Sequence, residues 1–209
     1  MKRIMALVAS LVTTAALTLP AATAAPASAD ACGDTWSIVV GGLQVSLDTG
    51  SWAQDSTYLT GDQRVGYNTL DPRGGVRELD RLIAKHRAEC PSDHIKLMGH
   101  SMGAAIVHHW VSTHNGFGNV SAILLSDPKR KANGRGFDGL SGWGEFLGQP
   151  LGGVDDNFGD IPVLTICNRA DVICSNGLDW RGYLFTGAHA SYDGNADNYS
   201  DSAAGNWFR

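Results

Sequence analysis

The stretch His94–Trp110, HIKLMGHSMGAAIVHHW, decides how the rest of the chain is read. HIKLM is a short run of strand character. Gly99-His100-Ser101-Met102-Gly103 follows as a Gly-x-Ser-x-Gly turn. From Met102 the apolar residues continue at helical spacing to His114, where Asn115-Gly116 stops them. Three fixed positions of common residue types are a weak signal alone. Their place between a strand and a helix makes them a candidate nucleophile elbow. There Ser101 occupies a sharp turn at the C-terminal edge of a sheet, beside a helix N-terminus whose dipole and free N–H groups favour a developing oxyanion. Glycine suits both flanks, because a β-carbon at Gly99 or Gly103 would collide with the neighbouring strand and helix.

Strands and helices alternate outward from this point. Trp36–Val40 (WSIVV) reads as a buried strand. Pro72–Glu89 reads as a helix with proline near its start and Val76, Leu79 and Ile83 on one face, ended by Cys90-Pro91. Val120–Leu125 and Ile161–Ile166 read as further strands. This order predicts βαβ units and a three-layer α/β/α sandwich with a mostly parallel sheet. Leu43–Asp71 has turn residues and little periodicity, with room for one helix. Asn133–Asp160 is a long glycine-rich segment carrying Phe137, Trp143, Phe146 and Phe158. It is either a surface excursion pinned by its aromatics or a flap facing a substrate.

Composition narrows the classes. Lys2 and Arg3, an apolar run from Ile4 to Leu19 and the Ala27-Ser28-Ala29 triplet have the form of a secretory leader. Residues 1–29 are expected to be removed, leaving one domain over 30–209 that is exported and monomeric. Without Lys2 and Arg3 the formal net charge moves from −5 to −7. That balance argues against nucleic acid or an anionic membrane surface as main partner. No later segment is apolar over a length that spans a bilayer. The even count of four cysteines, Cys32, Cys90, Cys167 and Cys174, fits disulfides in an exported chain. Three pairings are possible. Cys167 and Cys174 are close enough in sequence to close a small loop, which leaves Cys32 for Cys90. Their spacing does not fit a zinc site, and no metal is expected.

A serine hydroxyl needs a base and a group that orients the base. His100 is adjacent to Ser101 and is expected to project away from its hydroxyl. His108 and His109 lie about 11 Å or more down the helix, and His114 farther still, so these read as helix or core histidines. His86 and His94 read as surface residues. His189, late in the chain between small loop residues, is the expected base. Asp171, in the Cys167–Cys174 segment after a late strand, is the expected acid, with Asp127 as its competitor. Ser, Asp, His is the chain order of the α/β-hydrolases.

These residues resemble the cutinase-family serine esterases over most of residues 30–209. Cys90-Pro91 followed by HIKLMGHSMG resembles that family's Cys-Pro, strand and nucleophile turn. Ser126-Asp127-Pro128 resembles its Gly-Asp-Pro. Cys167–Cys174 (CNRADVIC) resembles the disulfide loop carrying its acid, and His189 with Tyr192 its His-x-x-Tyr. The resemblance implies disulfides Cys32–Cys90 and Cys167–Cys174, a five-stranded parallel sheet, a solvent-open centre and a structural role for Asp127. Two positions depart from the pattern. Met102 stands where the family has Gln, and Leu43 where it has a hydroxyl residue that supports the oxyanion. The oxyanion is then expected to rest on the backbone N–H groups of Met102 and the Gly42–Leu43 turn. The expected activity is hydrolysis of a lipid or polyester ester through Ser101, His189 and Asp171, without a cofactor. A cell-envelope acyl-ester hydrolase or acyltransferase using the same triad is the alternative. An inactive binding protein on the same scaffold is another.

Overall fold

The computed structural model describes residues 32, 34–46, 51–142 and 151–209. The expected leader, Trp143 and Phe146 lie outside the described residues. Strands β1 (Thr35–Val40), β2 (Leu43–Ser46), β3 (Ser51–Gln54) and β4 (Gln63–Arg64) precede helix α1 (Pro72–Glu89). Then follow β5 (His94–His100), α2 (Met102–Thr113), β6 (Val120–Leu125), β7 (Val163–Cys167), a one-turn helix α3 (Arg181–Phe185) and β8 (Gly205–Phe208). Two 3₁₀ turns, Ala188–Ala190 and Ala196–Asn198, lie between α3 and β8.

Six strands form one sheet in the order β4-β1-β5-β6-β7-β8, and every pairing in it is parallel. The expectation of five strands is one short. β4 has two residues and β8 alternates exposed with half-buried positions, so neither carries a hydrophobic run that a sequence reading detects. The helix allowed for within 43–71 is not found among the described residues, where β2 and β3 instead make an antiparallel hairpin.

The central strands are buried on both faces, which is why they read as continuous apolar runs. On one face Ile38, Val40, Ile95, Leu97, Ala122 and Leu124 meet Leu79, Ile83, Ile106 and Trp110 from α1 and α2. On the other, Val39, Met98, Ile123, Leu125 and Ile166 meet Leu59, Ala196, Tyr192 and Tyr199. Each large side chain removed from water in this way contributes about 1.5–3 kcal/mol. Among the described residues the second cover is thinner than the first, made of loops and 3₁₀ turns. Lys96 emerges on this side and donates to the carbonyls of Ala196 and Tyr199, which fastens that cover to β5.

Helix α1 starts where its sequence dictates. The Asp71 carboxylate caps the Gly74 N–H at 2.9 Å and Pro72 fills the first position, where no N–H is needed. Gly75, Leu79 and Ile83 place one buried face on the core. The helix ends at Cys90, which is bonded to Cys32. Cys167 and Cys174 form the second disulfide. No helix among the described residues is long and apolar enough to cross a membrane.

Candidate active site

The candidate site lies at the C-terminal edge of the sheet, where β5, β6 and β7 lead into Ser101, Ser126 and the loop of Asp171. β5 ends on His100 and the chain turns at Ser101, with φ 58° and ψ −124°. Gly99 and Gly103 make this turn possible, as expected: a β-carbon at Gly99 would meet the backbone of Gly103 and Ala104, and one at Gly103 the backbone of Val40. Ser101 precedes α2, where a serine ordinarily caps the first turn with its hydroxyl. Here it makes no such cap. The strained backbone aims the hydroxyl elsewhere, and Ser101 Oγ lies 3.0 Å from His189 Nε2.

His189 sits in the 3₁₀ turn after Gly187, whose φ of 68° reverses the chain. Its Nδ1 is 3.0 and 3.2 Å from the two Asp171 oxygens. Asp171 follows β7 inside the Cys167–Cys174 loop and is fully buried. Ser126 and Tyr192 donate hydroxyl protons to its Oδ2 at 2.5 and 2.7 Å, and the Ile173 N–H donates to Oδ1 at 3.1 Å. Burial by itself would raise the pKa of this carboxyl. The hydrogen bond and charge of His189, with the Ser126 and Tyr192 hydroxyls, outweigh burial and hold it below its ordinary value. Asp171 is therefore a carboxylate at neutral pH, poised to orient an imidazole.

Two residues enter this cluster that sequence reasoning did not place there. Ser126 ends β6 with φ 50°, and its backbone N–H continues the ladder onto Ile166 at 3.0 Å. Its hydroxyl stands between Asp171 and His189, 2.9 Å from Nδ1. Ser126 drew attention only through the resemblance of Ser126-Asp127-Pro128 to Gly-Asp-Pro, and a positive φ is not legible in one sequence. His100, expected to project away, is the second. Its ring is buried, with Nε2 2.8 Å from the His189 carbonyl and Nδ1 2.8 Å from the Tyr58 hydroxyl.

The remaining candidates are separated from this cluster. Asp127 is 2.7 Å from His108 Nδ1, with both side chains fully buried, so it does not serve His189. His108 also meets Asp155 at 3.1 Å, which pins the 151–160 end of the long loop to α2. His86 and His94, expected on the surface, are half-buried. His86 stacks on Trp36 and bonds Asp93 at 2.8 Å, and His94 bonds Ser121 at 2.8 Å. Among the described residues, Cys32, Cys90 and Asp93 are the one group close enough to share a metal ion, but both sulfurs are spent in a disulfide.

Of the expected oxyanion donors, Gly42 differs from expectation. Its N–H donates to the Tyr58 hydroxyl at 2.9 Å, leaving the N–H groups of Leu43 and Met102. Two clefts meet here. One, of about 440 Å³, is lined by Ser101, Met102, Leu70, Leu140, Leu151 and Ile173. The other, of about 640 Å³, is lined by His189, His100, Tyr58, Asp55 and Tyr192. Leu43 and Tyr183 line both and form the ridge between them. Leu140 and Leu151 stand on either side of the segment outside the described residues, so both described parts of the long loop reach the first cleft.

A family model described as Cutinase matches residues 33–204. Among solved structures, the chain is similar to a cutinase-like protein from Cryptococcus sp. at 19% identity and TM-score 0.53, covering 78% of this chain and 88% of that one. It is also similar to an acetylxylan esterase at 15% identity and TM-score 0.48, covering 75% and 90%. At such identities the first likeness shows a shared fold. No curated protein sequence matches the chain.

Proposed function

This chain belongs to the cutinase family and is a carboxylic-ester hydrolase; from that premise we propose that it cleaves esters through an acyl-enzyme formed on Ser101. The observation that carries this reading is the continuous contact from Ser101 Oγ to His189 Nε2 at 3.0 Å and from His189 Nδ1 to Asp171 at 3.0 Å. Ser101 Oγ attacks the acyl carbon and His189 Nε2 takes its proton. Asp171 holds the Nδ1–H tautomer and stabilises the imidazolium. The Met102 N–H, in the uncapped first turn of α2, and the Leu43 N–H meet the developing oxyanion. The imidazolium then protonates the leaving alcohol, and the same base activates the water that releases the acid.

The leaving oxygen must face the group that protonates it. The alcohol portion of the substrate is therefore assigned to the cleft containing His189, and the acyl chain to the apolar cleft beside Met102. Apolar side chains, among them Leu70, Leu140, Leu151 and Ile173, make up most of the latter's lining, which supports an aliphatic acyl group. Two disulfides support function in an exported, oxidising setting.

Ser101→Ala, assayed on a short-chain p-nitrophenyl ester, is expected to lower turnover by about 10⁴-fold or more. The parent protein is expected to label with a fluorophosphonate and the variant not. Unchanged turnover in the variant refutes the assignment.

A further inference from the structure

His100 shares a strand end with the nucleophile yet faces the opposite way, into the cleft that holds His189. Three hydrogen bonds define its state. A carbonyl oxygen only accepts, so the bond to the His189 C=O requires the proton on His100 Nε2. The titratable groups facing the ring are Tyr58, His189 and Tyr192, with Asp171 farther off. Burial first, and then the neighbouring His189, push its pKa down to about 4, so the ring is neutral. Nδ1 is therefore bare and accepts from the Tyr58 O–H. The phenol oxygen in turn accepts from the Gly42 N–H. These three bonds run in one direction, from the Gly42 N–H through Tyr58 and His100 to the His189 carbonyl.

His189 needs such a hold. It stands on a single 3₁₀ turn entered through a left-handed glycine, yet its ring must meet Ser101 and Asp171 at once. A bond from the residue before Ser101 references the base-bearing turn to the strand that carries the nucleophile. It also ties that turn, through Tyr58, to the Gly42–Leu43 backbone on the oxyanion side.

We propose that His100 is a positioning residue, held in its Nε2–H tautomer by Tyr58, which clamps the His189 carbonyl and so aligns the base with Ser101. This rests on the serine-esterase reading. It commits to a role for the donated hydrogen bond rather than for the ring's bulk.

Three variants test it together by steady-state kinetics on one p-nitrophenyl ester. His100→Phe keeps the ring's volume and loses the donor. It is expected to lower kcat about 10- to 100-fold with KM within about twofold. His100→Gln, whose amide N–H can reach the same carbonyl, is expected to recover most of that loss. Ser101→Ala is the control. If Ser101→Ala keeps its turnover, the esterase reading fails. If it is inactive while His100→Phe works within about twofold of the parent, only the positioning role falls. The role also falls if His100→Gln is as slow as His100→Phe. Nitrogen-15 NMR of the parent decides independently of how the variants fold. The neutral Nε2–H tautomer of His100 is expected at neutral pH and down to about pH 5. An Nδ1–H tautomer or an imidazolium there overturns the proposal.

Discussion

Ser126→Gly isolates two opposed contributions at one residue. Ser126 is fully buried at φ 50°, a conformation that costs an L-residue about 1 kcal/mol and glycine almost nothing. Its hydroxyl donates to the Asp171 carboxylate at 2.5 Å, and a hydrogen bond to a charged group contributes about 2 kcal/mol. The glycine variant loses the bond and relieves the backbone, so it should be about 1 kcal/mol less stable at neutral pH. Ser126→Ala loses the bond and keeps the strain, so its deficit should be about 2 kcal/mol. Asp171 is held below its ordinary value in the fold. Its hydrogen bonds therefore stabilise the fold above the unfolded pKa, and that contribution is lost as pH falls through the depressed folded pKa. Against a neutral carboxyl the bond contributes about 1 kcal/mol. The deficit of the glycine variant should then vanish in acid while that of the alanine variant roughly halves. Urea unfolding of the three proteins from pH 7 down to about pH 2.5 measures this. Equal stabilities for Gly and Ala at neutral pH would show that φ stores no strain. A deficit independent of pH would show that the hydroxyl does not act through the Asp171 carboxylate.

The two disulfides should separate stability from activity. By chain entropy, replacing Cys32 and Cys90 by Ala should cost about 4 kcal/mol and leave kcat near that of the parent, while replacing Cys167 and Cys174 should cost about 2.5 kcal/mol and lower kcat, because the Asp171 loop loses its clamp. Urea curves and kcat for each double variant check this, and an unchanged kcat in the second removes the clamping role. His108 gives a signature at alkaline pH. Burial lowers its pKa, but Asp127 and Asp155 outweigh burial and raise it to about 9. Its contribution is then fully present below the unfolded value of 6.5 and is lost as pH rises through about 9. Stability measured across that window should fall in the parent and stay flatter in His108→Gln; parallel curves refute the clamped imidazolium.

Much of the fold could be read locally. Pro72–Glu89 starts and stops on its own caps, Val120–Leu125 is an uninterrupted apolar run, and the glycines around Ser101 permit one tight turn. Residue type, order and spacing along the chain singled out Ser101, Asp171 and His189 as candidates, since each follows a recognisable strand or loop, and the fold brings the three into hydrogen-bond contact. β4 and β8 were not legible, since they owe their pairing to neighbours rather than to any pattern of their own. Tyr58 could not be found either, lying in a stretch without periodicity, 42 residues before the histidine it bonds.

The deepest differences concern direction. Adjacency to Ser101 led to the expectation that the His100 ring projects away from its hydroxyl, but only the folded chain brings the His189 carbonyl to meet that ring. Gly42 was expected to face the oxyanion, and its N–H is taken by Tyr58. Ser126 stood beside an aspartate that attracted attention, while its own left-handed backbone sends the hydroxyl to Asp171 instead. Which groups are chemically able to act as nucleophile, base or acid is a matter of residue type, and the chain alone determines it. Which hydrogen bonds those groups make depends on segments distant in sequence converging at one sheet edge, and tertiary structure alone decides that.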